Sequence, residues 1–191
     1  MQNTMLSRFY GLLLAALAVV LLAVVLLAPA AAFAADRAAL ERDARNAYNK
    51  LVARVPAAKA LSKEADAVLV FPKITKAGLV IGGQYGDGVL IRGDKIVGYY
   101  NTSGASYGLQ AGAQQYGYAM FLMNEKAVHA LNKNEGFEVG VGPSVVVVDQ
   151  GMGKTMTTTT ATEDIYAFIF SQKGLMAGIG LQGNKITPIK P

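Results

Sequence analysis

ADAVLVFPKITKAGLVIGGQYGDGVLIRGDK, Ala65 to Lys95, is the stretch on which the fold turns. AVLVFP is apolar and β-branched, and it reads as a short buried strand stopped at Pro72, because proline brings no N–H to a sheet ladder. A second strand follows over 79–92 and ends in a hairpin turn at Gly93-Asp94-Lys95. Glycine recurs inside these strands at Gly78, Gly82, Gly83, Gly86 and Gly88. A strand glycine weakens a flat sheet, and it is at home where the sheet bends or where two backbones approach too closely for a Cβ. The habit continues at Gly108, Gly112, Gly140, Gly142, Gly178 and Gly180. These positions predict a strongly curved, mainly antiparallel Gly-rich sheet, up to a barrel-like closure.

Toward the C-terminus, strand-length segments fall near 96–108, 110–122, 137–148, 154–162, 164–171 and 174–182. One helix interrupts them: Asn124 caps EKAVHALNK, and Gly136 follows its end. Toward the N-terminus, Leu40, Ala44, Ala47, Tyr48, Leu51 and Val55 recur at helical steps across an amphipathic helix from Asp36 to Pro56. A shorter helix is expected from Ala57 to about Ala65. The class is therefore α+β, with N-terminal helices and one inserted helix on the curved sheet.

Before Asp36 the chemistry is different. Arg8 is the only charge in the first 35 residues, Gly11 to Ala28 is unbroken apolar sequence, and Ala32-Phe33-Ala34 fits a small-residue cleavage pattern. Residues 1–35 read as a secretory signal peptide, with a retained membrane anchor as the alternative. Residues 36–191 then form one domain, exported to the periplasm or the envelope. The chain has no cysteine, so it carries neither a disulfide nor a lipidated cysteine and is not a lipoprotein. Of 191 residues, 18 are basic and 13 acidic; without Arg8 the remainder carries +4. That balance favours anionic partners, and export makes nucleic acid an unexpected one.

The motifs that would announce an enzyme fail on physical grounds. Gly153-Lys154-Thr155 ends like a phosphate-binding loop, yet Val148 stands at the first glycine and TMTTTTAT follows where a helix is required. Gly178-Ile-Gly180-Leu-Gln-Gly183 has the dinucleotide-loop spacing, but too little chain follows for the βαβ unit. His129 is the single histidine and cannot build a histidine metal site. Asp87, Asp94 and Glu163-Asp164 sit at turn-like positions, where Asp bonds its own backbone. A hydrolase using His129 or Asp87 is the remotest of the readings; no cofactor and no metal is expected.

What remains is basic residues near turns and glycines: Lys59, Lys63, Lys73, Lys76, Arg92 and Lys173. Gathered on one side of the sheet they make an anion-attracting surface; scattered, they only solubilise.

AxAVLVFP (65–72), KAGLVIGG (76–83), GDGVL (86–90), GLQAG (108–112), VGPS (141–144) and SQKGLMAGIGLQG (171–183) fall in the order of the SYLF domain, a lipid-binding, actin-regulator-related family. The chain resembles that family from about Ala57 to Ile186. The resemblance implies a non-enzymatic lipid-binding module, with Lys73, Lys76 and Lys173 as its basic motif residues. For an exported member the expected partner is anionic phospholipid at a membrane surface. A structural or protein-interaction role in the periplasm, with no lipid ligand, is the alternative.

Overall fold

The computed structural model describes residues 36–78, 81–107, 112–132, 136–148, 162–173 and 183–189. The expected leader, the segment 174–182, all of 154–162 but its last residue, and the Gly153-Lys154-Thr155 loop lie outside the described residues. The chain divides into two compact units, Met1–Ala39 and Leu40–Pro191. Of the first, only residues 36–39 are described, as the start of a helix.

That helix, α1, spans residues 36–54. It stops because Val55 precedes a proline and is pushed out of the helical region, to φ −113° and ψ 107°. Pro56 then opens α2 (Pro56–Leu61), where its missing N–H costs nothing. The strands are β1 (Ala67–Gly78), β2 (Ile81–Arg92), β3 (Lys95–Tyr107), β4 (Gly112–Leu122), β5 (Phe137–Glu138), β6 (Val145–Val147), β7 (Ile165–Lys173) and β8 (Lys185–Pro188), with α3 (Glu125–Leu131) between β4 and β5. They form one eight-stranded sheet in the order β5-β8-β3-β2-β1-β4-β7-β6. Every pairing is antiparallel except β6 against β7.

The sheet is a strongly curled half-barrel. Connectivity alone demands the curl. β5 and β6 are opposite edges of the sheet, yet Glu138 and Val145 are seven residues apart, a span of at most about 24 Å. A flat sheet of eight strands at about 4.8 Å spacing sets its edges about 34 Å apart, so the edges must bend toward each other. The link is a turn in which Gly140 and Gly142 take φ of +102° and +101°. Val139 N–H donates to the Asn184 carbonyl at 2.9 Å, and Ile165 N–H donates to the Ser144 carbonyl at 3.0 Å, tying the link to both edges.

Three expectations need correction. The first strand does not stop at Pro72; β1 continues to Gly78, and its register against β4 shifts between Phe71 and Ile74. The proline occupies this bulge, where the ladder is already broken and a donor is not needed. The single strand expected over 137–148 is two short strands split by the Gly140–Gly142 turn. β8 was not expected at all: four residues ending in proline pair with β3 and β5. The α3 helix, its Asn124 cap (Oδ1 accepting from Ala127 N–H at 2.9 Å) and the hairpin at Gly93 (φ +57°) are as the sequence predicts.

The two faces of the sheet are covered differently. On the outer face, Ala44 and Leu51 of α1 and Ala57, Ala58 and Leu61 of α2 pack on Val68, Val70, Phe121 and Phe168. On the inner face, Ala127, Val128 and Leu131 of α3 pack on Leu69, Leu90 and Leu122. Residues Ala67–Phe71 are thus covered on both sides and buried without interruption. Each of the large ones contributes roughly 1.5–3 kcal/mol of burial.

Candidate functional site

Beyond the bulge, β1 changes character. Lys73, Thr75 and Ala77 are exposed on the outer face, and Ile74 and Lys76 are buried on the inner face. No described helix packs on Lys73, Thr75 or Ala77. The inner face at this end is polar where the rest of it is hydrocarbon.

Lys76 is at its centre, only 4% exposed. Its register partners are Gln84 on β2 and Gln114 on β4, both buried. Gln84 is clamped: its Oε1 accepts from the Tyr116 hydroxyl at 2.6 Å, and its Nε2 donates to Asn184 Oδ1 beside β8. Deeper in, the Tyr118 hydroxyl donates to Thr102 Oγ1 at 3.0 Å. Burial pushes the Tyr116 hydroxyl up to about 12. It raises Tyr118 further, against the opposing pull of the Thr102 hydrogen bond. Both phenols therefore stay neutral donors at physiological pH.

The cluster is incompletely satisfied. Gln114 Oε1 and Asn184 Nδ2 are buried without a hydrogen-bond partner. Lys76 makes no ion pair among the described residues. On the β3 side Gly104 sits opposite Gln84, and the Gln84 and Asn184 amides fill the space that its missing side chain leaves. A Cβ there would stand 3.0 Å from Gln84 Nε2 and closer still to Asn184 Oδ1.

The six basic residues singled out from sequence do not converge. Lys73 is exposed at the bulge and Lys76 is buried on the opposite face. Lys173 ends β7 opposite Gln115, one position from Gln114, so its backbone belongs to the same end of the sheet. Arg92 lies at the other end, where Ile91 pairs with Val68. Val68 and Lys76 are eight residues apart on β1, roughly 26 Å of strand. There Arg92 is spent on an ion pair with Glu125 of α3. Lys59 and Lys63 are exposed on α2 and the turn after it, which leads into the Arg92 end of β1. The six thus make no single basic surface; Lys73, Lys76 and the Lys173 backbone share one end of the sheet, with Lys73 and Lys76 on opposite faces. Sequence reasoning missed Gln84, Gln114, Thr102, Tyr116 and Asn184, because neutral polar residues in an alternating strand carry no mark of which face they take.

The residues considered for catalysis are dispersed. His129 is exposed on α3. Asp87 accepts from Asn101 Nδ2 at 2.9 Å on the outer face. Among the described residues no group of three His, Cys, Asp or Glu side chains is placed to hold a metal ion, and no helix is long and apolar enough to cross a membrane.

Residues 103–190 match the family model described as Ysc84, Las17-binding protein actin regulator. The match agrees with the SYLF family that the sequence resembles. The match begins within β3 and runs through β8, so it takes in Gln114, Lys173 and Asn184 and leaves out Lys73 and Lys76 on β1 and Gln84 on β2. SYLF domains are a family of binding domains. Among curated proteins, none matches the chain.

Proposed function

We propose that this SYLF-like domain is a non-enzymatic lipid-binding module that associates with anionic phospholipid at a membrane surface of the cell envelope, after export through its leader. The observation that supports the reading is the exposed outer face of β1 beyond the bulge. Lys73 and Tyr85, which is 59% exposed, stand on this face of the sheet on neighbouring strands, with Tyr85 paired to Thr75. A cation beside an exposed phenol suits the headgroup layer, where aromatic rings settle and a lysine adds about 1 kcal/mol near anionic lipid. The basic balance of the chain works in the same direction.

Cosedimentation with phosphatidylglycerol and phosphatidylcholine vesicles at low salt tests the reading. Binding to the anionic vesicles alone is expected, with Lys73→Glu weakening it by about fivefold or more. Equal binding to both vesicles, or to neither, removes the proposal. The family's description favours a second reading, a protein-interaction module without a lipid ligand. Saturable, lipid-independent capture of a single protein partner is its mark.

A further inference from the structure

We propose that the polar end of the half-barrel interior is an internal anion site, built around Lys76, that takes a phosphate group carrying or adjoining a hydroxyl. The inference deepens the lipid-binding reading and rests on it for the source of the phosphate, while the site itself is argued from the interior alone.

An ammonium held at 4% exposure is costly unless a counter-charge or several acceptors compensate it. The buried polar neighbours here are Gln84, Thr102, Gln114 and Asn184, all neutral. Gln84 has both ends of its amide committed, to Tyr116 and to Asn184. The two uncommitted atoms are of opposite kinds: Gln114 Oε1 needs a donor and Asn184 Nδ2 needs an acceptor. One guest meets all three requirements. Its anionic oxygens face the Lys76 ammonium and accept from Asn184 Nδ2, and its hydroxyl donates to Gln114 Oε1. A monoprotonated phosphate has this pattern, and so does a phosphodiester joined to glycerol. A choline phosphodiester does not, because it has no O–H to give.

Binding is measured on the full chain by calorimetry and by thermal unfolding. The probes are dihexanoylphosphatidylglycerol below its micelle concentration, dihexanoylphosphatidylcholine and inorganic phosphate. Saturable binding of the glycerol lipid is expected, with a raised unfolding temperature, and about tenfold or weaker binding of the choline lipid. Lys76→Met lowers the affinity about tenfold or more, and Lys95→Met, at the exposed hairpin of the opposite end, leaves it within about twofold. Gln114→Glu is the second variant: it supplies a carboxylate beside the ammonium, so the ligand-free protein unfolds no earlier and the probe no longer binds. If inorganic phosphate matches the lipid, the free anion is the ligand; if only the lipid binds, the headgroup is. No saturable binding by the wild type, unchanged affinity in Lys76→Met, or retained affinity in a folded Gln114→Glu overturns the site. Vesicle binding that depends on Lys73, together with a silent soluble probe, defeats the interior site and spares the membrane reading. The reverse result defeats the membrane reading and spares the site.

Discussion

The two ends of the half-barrel interior are lined by the same strands and solve opposite problems. At one end α3 fills the space with Ala127, Val128 and Leu131 against Leu69, Leu90 and Leu122. The charge nearby, Asp164, accepts from Asn124 Nδ2 at 2.8 Å, Lys126 Nζ at 3.0 Å and Ser144 N–H at 3.1 Å. At the other end the inner face carries Lys76 with no ion pair among the described residues, and two polar atoms are left over. One end is finished by the protein's own groups and the other is not. A fold that can satisfy an anion with three donors at the first end is not short of means, and the two unsatisfied atoms at the other end are what the proposed anion would meet.

Truncation tests the contrast most strongly. Leu122 is fully buried in the finished end. Leu122→Ala is expected to cost about 2–5 kcal/mol in chemical denaturation, because the lost burial is compounded by a cavity that rigid strands cannot close. Lys76→Met in the unfinished end is expected to cost nothing or to stabilise, since it replaces an unpaired buried charge by a hydrocarbon of similar length. Comparable losses at both ends would mean that Lys76 is structural, and the contrast would fail.

The bulge that separates the two ends is the next point to attack. Gly117 on β4 backs directly onto it: a Cβ there would stand 2.8 Å from both the Phe71 and the Pro72 carbonyl oxygens. Backbone atoms cannot rotate away as a side chain can, so Gly117→Ala should cost about 1–3 kcal/mol. Gly93→Ala, at a turn with open space around it, strains only its own φ of +57° and should cost about 1 kcal/mol. Equal losses would show that the bulge tolerates widening.

Much of this architecture is legible in the sequence, and the limits of legibility have particular causes. The glycines announce curvature because a Cβ-free strand has few other uses, and Asn124 announces α3 because its side chain completes a local hydrogen bond. Pro72 misleads, since a proline inside a strand is permitted only at a bulge, and a bulge is a two-strand event that one strand's sequence does not display. β8 is short and ends in Pro188, so nothing local marks it as a strand; its place is set by β3 and β5. Of the candidate site, Lys76 and Lys73 are both visible as lysines, and their spacing of three sets them on opposite faces, but the extra residue at the bulge decides which of them faces inward. The partner groups Gln84, Gln114 and Asn184 come from three different strands or strand approaches. Only register brings them together.

The smallest effect sharpens the finished end. Asp164 has its carboxyl held at about 2, first by the Asn124 side chain, then by Lys126 and the Ser144 N–H, against an ordinary value of 3.8. In the unfolded chain the carboxyl takes up its proton near its ordinary value, while the folded protein resists until about pH 2. Its contribution to stability is therefore fully present above about pH 4 and is lost as the pH falls through 2. Urea midpoints measured between pH 6 and pH 2 should decline over the acid part of that window in the wild type and decline less in Asp164→Asn. Asn124→Ala removes both the first of these donors and the helix cap, and should cost about 1 kcal/mol at neutral pH while flattening the same acid slope. If instead the acid slope survives both substitutions, Asp164 is not what completes this end, and its contrast with Lys76 would rest on packing alone.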